Sequence, residues 1–363
     1  MKVLIAGGGV AGAAAACLLG PDSVLIERTT GAHDKMCGEF VSAEAIDYLN
    51  RLGIDLVGLG AVPVHGVRLV YGATVAQAAL PFPAMGLSRR VLDAALLAQA
   101  AARGATVLRG DAVRRVIDGV AEVAGSGRFP GHKVFLATGK HDLRGVARQP
   151  RRAPDDLIGL KMYLAVGASQ AAALTGFVEV IVFRGGYGGL QAVEGGGVNL
   201  CLLLERTVFA EAGESWAGVQ AMLEAISPHL ATRLKGARTL LDRPLAIARV
   251  PYGFVHRAAP SDPAGLFRLG DQAAVIPSFS GDGVSMALHS AFVAAGSLQG
   301  GSASYHARIR RDVGAQVARA WTIYRAGRIA PGVLTRGAVL WPGALRWAAR
   351  MTRLPVTAGM PVG

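Results

Sequence analysis

A glycine pattern between an apolar run and an alanine-rich stretch constrains this chain more than any other feature. Lys2-Val3-Leu4-Ile5-Ala6 is short and apolar, Gly7-Gly8-Gly9-Val10-Ala11-Gly12 follows, and helix-forming Ala and Leu continue to Leu19. The reading is strand, tight bend, helix. In Gly7-x-Gly9-x-x-Gly12, Gly7 turns the chain, Gly9 lets a pyrophosphate approach the backbone, and Gly12 lets the helix lie close on the strand. Val10 and Ala11 supply the first amides of that helix, whose positive end suits an anion. Ser23-Val24-Leu25-Ile26-Glu27 reads as a second buried strand, and Glu27 at its end is placed for the ribose hydroxyls of an adenosine. In a chain with 49 glycines a bare glycine pattern carries little weight. The flanking strands and the acidic residue favour a dinucleotide-binding βαβ unit over an ordinary turn.

The far end of the chain says which dinucleotide. Leu266-Phe267-Arg268-Leu269-Gly270-Asp271 predicts a strand that stops in Gly-Asp. Pro277 follows, and Gly281-Asp282-Gly283 opens a helix from Val284 to about Ser297. A carboxylate at a strand tip can hold a ribityl hydroxyl while a nearby helix N-terminus faces a flavin ring, so FAD is the expected cofactor. Between the two ends, Ser88 caps a helix that runs to Arg103 and stops at Gly104. The strand from Lys133 to Ala137 ends in Thr138-Gly139.

At 363 residues the chain has length for about two domains. With 52% hydrophobic and 17% charged residues it is expected to fold throughout. The formal charge of +13 comes mostly from scattered arginines with no aromatic-interleaved basic stripe, which argues against a nucleic-acid partner. Three cysteines in no disulfide framework, Cys17, Cys37 and Cys201, point to a reducing compartment, with cytoplasm the expectation. No metal-ligand spacing is present. The glycines at 7, 8, 9 and 12 interrupt what would otherwise pass for a signal-peptide core. The apolar stretch 329–349 is broken by Pro331, Arg336, Pro342 and Arg346, which leaves an interfacial helix as the strongest membrane reading.

Gly7-x-Gly9-x-x-Gly12, Glu27-Arg28, Ser88-Arg89-x-x-Leu92-Asp93, Ala137-Thr138-Gly139 and Gly270-Asp271 together resemble the flavoprotein monooxygenase and geranylgeranyl reductase superfamily, which shares the p-hydroxybenzoate hydroxylase fold. The likeness runs to about residue 300. Lys35-Met36-Cys37-Gly38-Glu39-x-x-Ser42 looks like the cysteine-glycine segment of the reductase branch, and Arg184-Gly185-Gly186-Tyr187-Gly188 with Val198-Asn199-Leu200 matches its middle domain. Where prenyl reductases carry Tyr-Gly-Trp-x-Phe-Pro, this chain has Tyr187-Gly188-Gly189-Leu190-Gln191-Ala192, without the aromatic wall that packs an isoprenoid. The Trp-x-Trp-x-Ile-Pro element of flavin-dependent halogenases is absent, and halogenation ranks third.

The resemblance and the strand pattern give an α/β chain with a discontinuous Rossmann-type FAD-binding domain, a mixed or antiparallel β-sheet substrate domain, and C-terminal helices. The expected limits are 1–60, 84–150 and 263–300 for the first, 61–83 and 151–262 for the second, and 301–363 for the helical segment. Strands over 157–166, 177–183 and 197–204 would roof the flavin, with an inward face of aliphatic residues and little charge. The long helix 303–327 and the helix 344–351, rich in Trp and Arg, are read as packed on the flavin domain, with peripheral membrane contact as the alternative.

The FAD contacts expected are Gly7, Gly9, Val10, Ala11, Gly12, Glu27, Arg28, Arg89, Ala137, Thr138, Gly139, Gly270, Asp271, Pro277, Gly281, Asp282 and Gly283. Candidate catalytic residues are Cys37, a thiol near the flavin that competes with a reading as a buried small hydrophobe, Glu39, a proton carrier if desolvated or else a surface or capping carboxylate, and Tyr187, a substrate-orienting phenol or a packed aromatic. Cys17, Cys201 and His289 read as core. Arg144 reads as a contact to FAD or nicotinamide phosphate, or equally as surface. The leading expectation is an NAD(P)H-driven monooxygenase that uses oxygen and a flavin C4a-hydroperoxide to hydroxylate an apolar aromatic or quinone-like molecule. A flavin-dependent double-bond reductase and a non-catalytic lipid- or prenyl-binding protein of the same fold are the alternatives.

Overall fold

The computed structural model describes residues 2–117, 120–125, 127–130, 133–148, 156–259 and 262–354. The boundary expected at 150/151 lies outside them.

A five-stranded parallel sheet runs in the order Leu266–Arg268, Val134–Leu136, Val3–Ala6, Ser23–Glu27, Thr106–Arg109. Its strands are short and apolar because both faces are covered. Ile5, Leu25, Phe135 and Phe267 lie under the helices Val10–Leu19, Arg89–Ala102 and Gly283–Gly296. Leu4, Ile26, Leu136 and Leu266 face a three-stranded antiparallel sheet, Val113–Ile117, Val120–Val123 and Gly127–Pro130, which the sequence reading does not anticipate.

A nine-stranded mixed sheet forms the second layer. Its path is Arg238–Thr239, Leu157–Ala165, Val198–Glu205, Gly186–Ala192, Gly176–Phe183, Val62–Tyr71, Thr74–Gly86, Phe40–Val41, with Leu245–Ala248 paired to Leu157–Ala165. Only Gly176–Phe183 with Val62–Tyr71 is parallel. Alternation gives the sheet two different buried faces. Leu160, Met162, Leu200, Leu202 and Leu204 pack beneath the helices Ala168–Leu174, Trp216–Ile226 and Pro228–Leu234, each full burial contributing roughly 1.5–3 kcal/mol. Lys161, Tyr163, Asn199 and Leu203 occupy the alternate positions and turn the other way. Lys161 places one fully buried charge on a face expected to hold aliphatic residues and little charge.

On the helix-covered side, Glu179 is fully buried and accepts hydrogen bonds from Arg68 at 2.9 Å, from Arg233 at 3.0 Å and from the His229 ring at 2.8 Å. Burial alone would raise its carboxyl, but His229, Arg233 and Arg68 more than offset this and hold it at about 2. A depressed carboxyl stabilises the fold above its unfolded value, and that contribution is lost as pH falls through the folded value. About 3 kcal/mol is therefore expected to disappear between the ordinary carboxylate range and pH 2. Urea unfolding at about pH 6 and about pH 3 checks this, and Glu179→Gln should flatten the dependence.

The C-terminal helices correct one expectation. The long helix Gly301–Ile329 does pack on the flavin-side core, through Ile309, Val313 and Val317, and Tyr305 donates from its hydroxyl to the Arg268 carbonyl at 2.7 Å. The helices Pro331–Leu340 and Gly343–Met351 instead lie across the strand Thr74–Gly86 of the large sheet. Their apolar sides, Leu334, Ala338 and Leu345, match the Leu69 and Val180 side of that sheet. No helix among the described residues is long and apolar enough to cross a membrane.

Candidate functional site

The glycine bend is as close-packed as its pattern requires. Gly7 has φ +104°, and a Cβ there would fall 2.5 Å from the Ala137 carbonyl oxygen. One on Gly12 would fall 1.9 Å from the Gly7 carbonyl oxygen. Gly9 is different: a Cβ added there would meet only the Arg89 guanidinium at 3.3 Å and the Lys35 ammonium at 3.5 Å. Two cations thus flank an open backbone bend at the start of the Val10–Leu19 helix, a cradle for a pyrophosphate. Both are held by buried Asp93, which accepts from Arg89 at 2.8 and 2.9 Å and from Lys35 at 2.8 Å. Glu27 is buried, its Oε2 accepting the Gly8 amide at 2.7 Å and its Oε1 the Thr29 amide at 3.0 Å. Burial works to raise this carboxyl, but Lys35, the two amides and the Thr29 hydroxyl hold it below the usual carboxylate range.

Across an open cavity from this bend sits the Gly270-Asp271 segment. Gly270 has φ +56°, and a Cβ added there would meet the Ala11 methyl at 3.2 Å. Its amide donates to Ser290 Oγ at 2.9 Å. The glycine bend and the Gly-Asp strand tip, some 260 positions apart in the chain, are therefore in contact. Gly9, Val10, Ala11, Gly270, Asp271 and Gly283 line one cavity, and nothing stands within 4 Å of the Cβ position of Gly283. An open cationic bend facing a strand-tip carboxylate and a bare helix N-terminus fits FAD.

Arg89, Ala137, Gly139 and Gly281 also line this cavity, as do Cys37, Glu39 and Tyr187. Gly7 and Gly12 lie behind the bend, where they shape it. Glu27, Thr138, Pro277 and Asp282 are not on the cavity wall. Arg28 is exposed and reaches the His141 ring at 3.0 Å, and Arg144 is exposed as well. Asp282 precedes the helix Gly283–Gly296 and is buried, its Oδ2 accepting from Arg353 at 2.7 Å, and burial pushes its carboxyl up to about 7 against the pull of Arg353. His289 packs as expected, between the Tyr48 hydroxyl at 2.9 Å and Asp312 at 3.1 Å. Cys201 departs from its core reading: it lines the cavity, and burial pushes its thiol up to about 12. A strand covered on both faces shows no polar alternation, so its pattern does not say which face meets the ligand.

The Cys37–Glu39 loop is held by residues that sequence reasoning missed. Glu39 has φ +63° and is buried. Its Oε1 accepts from Lys161 at 2.5 Å, from the Tyr163 hydroxyl at 2.5 Å and from the Arg89 amide at 3.0 Å. Burial raises its carboxyl, partly countered by Lys161 and Tyr163. The Lys161 ammonium also donates to the Lys35 carbonyl at 3.0 Å, Asn199 donates to the Cys37 and Gly38 carbonyls at 3.2 and 3.0 Å, and Gln191 donates to the Glu39 carbonyl at 2.9 Å. The Arg89 amide, first in the helix Arg89–Ala102, gives Glu39 the capping contact expected of it beside its candidate role as a proton carrier. Lys140 reaches the cavity as well, 3.6 Å from Asp271. The only available signal for Lys161 was a charge in an otherwise apolar strand.

A second cavity of about 530 Å³ lies between the large sheet and the C-terminal helices. Its walls are Leu69, Leu80, Phe82, Val178 and Val180 on the sheet and Leu334, Ala338 and Leu345 on the helices. Gly38, Phe40, Tyr187, Cys201, Ser278 and Gly281 line both cavities, so the two meet. At that junction the Tyr187 hydroxyl lies 3.2 Å from the Tyr252 hydroxyl, which in turn contacts Ser278 Oγ.

No protein-family model matches the sequence, and no curated protein does. Solved structures do match. The flavin-dependent brominase Bmp2 superposes with a TM-score of 0.78 over 97% of this chain and 92% of its own, at 17% identity. PqsL, a probable FAD-dependent monooxygenase from Pseudomonas aeruginosa, gives 0.72 over 94% of this chain and 99% of its own, at 16% identity. The flavin-dependent halogenase CmlS gives 0.70 over 88% of this chain and 63% of its own, at 23% identity. The chain has the fold of the FAD-dependent monooxygenases and flavin-dependent halogenases. Within this fold, 97% coverage of the chain by Bmp2 takes in the C-terminal helices, which the sequence resemblance to about residue 300 did not reach.

Proposed function

We propose that the protein is an FAD-dependent oxidoreductase, most specifically a monooxygenase that hydroxylates an apolar aromatic or quinone-like small molecule, with NAD(P)H as reductant. The observation that carries this reading is the junction of the two cavities, one with the groups to hold FAD and the other apolar and of a size that encloses a small molecule. When bound, FAD supplies the redox chemistry with oxygen. Gly9, Arg89 and Lys35 would hold the pyrophosphate and Asp271 the ribityl hydroxyls, Glu27 would brace the bend from behind through the Gly8 amide, and Gly283 would lie against the ring. Tyr187, Tyr252 and Ser278 form a hydroxyl chain able to orient a substrate oxygen and move a proton between the cavities. The aliphatic walls exclude water around the reacting atoms.

The test is anaerobic reduction of the yellow protein with NADH and NADPH, then oxygen admitted with a panel of phenols, quinones and prenylated lipids. Substrate-dependent oxygen uptake with a hydroxylated product is expected. Turnover without oxygen favours the double-bond reductase, a bromide- or chloride-dependent product favours halogenation, and a folded protein that takes up no FAD favours the binding protein.

Gly189 gives a sharper check. It lines the apolar cavity at the position of the prenyl reductase Trp, and nothing stands within 4 Å of its Cβ position. Gly189→Trp is expected to fill that space, keep FAD, and raise KM roughly five- to 150-fold, since a misfit of even one methylene in an apolar pocket costs about 1–3 kcal/mol. Unchanged KM with retained FAD would place the substrate elsewhere.

A further inference from the structure

We propose that the outer face of the helices Pro331–Leu340 and Gly343–Met351 docks on an anionic lipid bilayer, with the mouth of the apolar cavity turned toward it. Large apolar side chains standing in water concentrate there: Ile329, Val333, Val339, Leu340, Trp341 and Trp347 are all exposed, Leu340 by 86%. Both helices lay one side on the strand Thr74–Gly86, so their other sides project together away from the sheet. Gly343–Met351 divides cleanly: Leu345, Ala348 and Ala349 line the cavity, while Arg346, Trp347 and Arg350 lie outside.

Charge selects the occupant. From Val313 to the last residue the sequence contains no Asp or Glu, but it contains Arg319, Arg325, Arg328, Arg336, Arg346, Arg350 and Arg353. Arg328 and Arg353 are paired, with Glu205 and with Asp282. Arg336, Arg346 and Arg350 are exposed among the apolar side chains and form no ion pair among the described residues. Tryptophan and leucine interspersed with arginine, without an acidic residue, match the anionic bilayer surface: the rings and aliphatic groups enter the headgroup region and the guanidinium groups meet phosphate.

The cavity gives this face a purpose. Val333 and Trp341 line it and are also 74% and 66% exposed, so it meets solvent through the patch itself. A lipid-soluble molecule then passes from the bilayer to the cavity without crossing water. That delivery step rests on the proposed function, whereas the docking does not.

Sedimentation of the full chain with phosphatidylserine–phosphatidylcholine vesicles, against phosphatidylcholine alone, tests it. Binding to the anionic vesicles that weakens with salt is expected, with roughly a fivefold loss for each of Arg336→Gln, Arg346→Gln and Arg350→Gln. Leu340→Ser/Trp347→Ser should lose binding with circular dichroism unchanged. No preference for anionic vesicles overturns the proposal. So does a dimer in vesicle-free solution that the same double variant dissolves, which assigns the face to a second copy of the chain. Vesicle binding by a protein that takes up no FAD would leave the docking standing and remove the enzymatic reading, so the two failures are distinguishable.

Discussion

Gly12→Val is expected to yield protein that retains no FAD. The added Cβ would lie 1.9 Å from the Gly7 carbonyl oxygen, a backbone atom that no rotamer change relieves. The Gly7 backbone is itself packed against Ala137, so closely that even a Cβ on it would fall 2.5 Å from the Ala137 carbonyl oxygen, and its φ is +104°. Relief therefore requires the Val10–Leu19 helix to move off the strand Val3–Ala6, which opens the bend and displaces the amides at the helix start. A loss of about 2–4 kcal/mol in stability should accompany the loss of flavin. Equilibrium dialysis against FAD with parallel urea unfolding measures both. Gly9→Ala is the control: its Cβ meets only the ends of two flexible side chains, so the fold should survive while FAD affinity falls.

The second large effect is at Lys161. Lys161→Met leaves the Glu39 carboxylate buried without its cation, and breaking a buried pair this way costs about 3–5 kcal/mol. Replacing both partners, Lys161→Met with Glu39→Gln, should recover much of it, because a neutral pair carries no desolvated charge. The sign with pH follows. Burial already raises the Glu39 carboxyl, and removing Lys161 takes away the largest opposing influence. The folded state of the single variant then binds the proton more tightly than the unfolded state does, so its stability falls as pH rises through the raised value and returns on acidification. Unfolding free energies of the wild type, both single variants and the double variant across pH measure this coupling. Because Lys161 and Glu39 fix the loop that carries Cys37, FAD affinity of the single variants should fall as well.

What could be read from the chain, and what could not, divides along physical lines. The bend was legible because it is local: Gly7, Gly9, Gly12 and Glu27 fall within one βαβ unit, where the glycines answer backbone constraints that a side chain would violate and the Glu27 carboxylate takes the Gly8 amide. Gly270-Asp271 was legible for the same reason, as a strand tip. The faces of the large sheet were not. Leu160 and Lys161, or Leu200 and Cys201, are neighbours that turn opposite ways, and when helices cover one face and a ligand cavity the other, both sides are buried and alternation carries no polarity. Lys161 is paired with Glu39 across 122 positions, a partnership that no local pattern encodes. Of the helices after residue 330, Gly343–Met351 was visible in the sequence and Pro331–Leu340 was not, and the place of both across Thr74–Gly86 depends on tertiary packing alone.

One FAD held between the bend and the strand tip underlies the function proposed for this protein, and stoichiometry measures that directly. Purified protein saturated with FAD, freed of excess, denatured and analysed for the released nucleotide should yield one FAD per chain, and Gly12→Val should yield none. A folded wild-type protein that releases no flavin after this treatment would contradict the account.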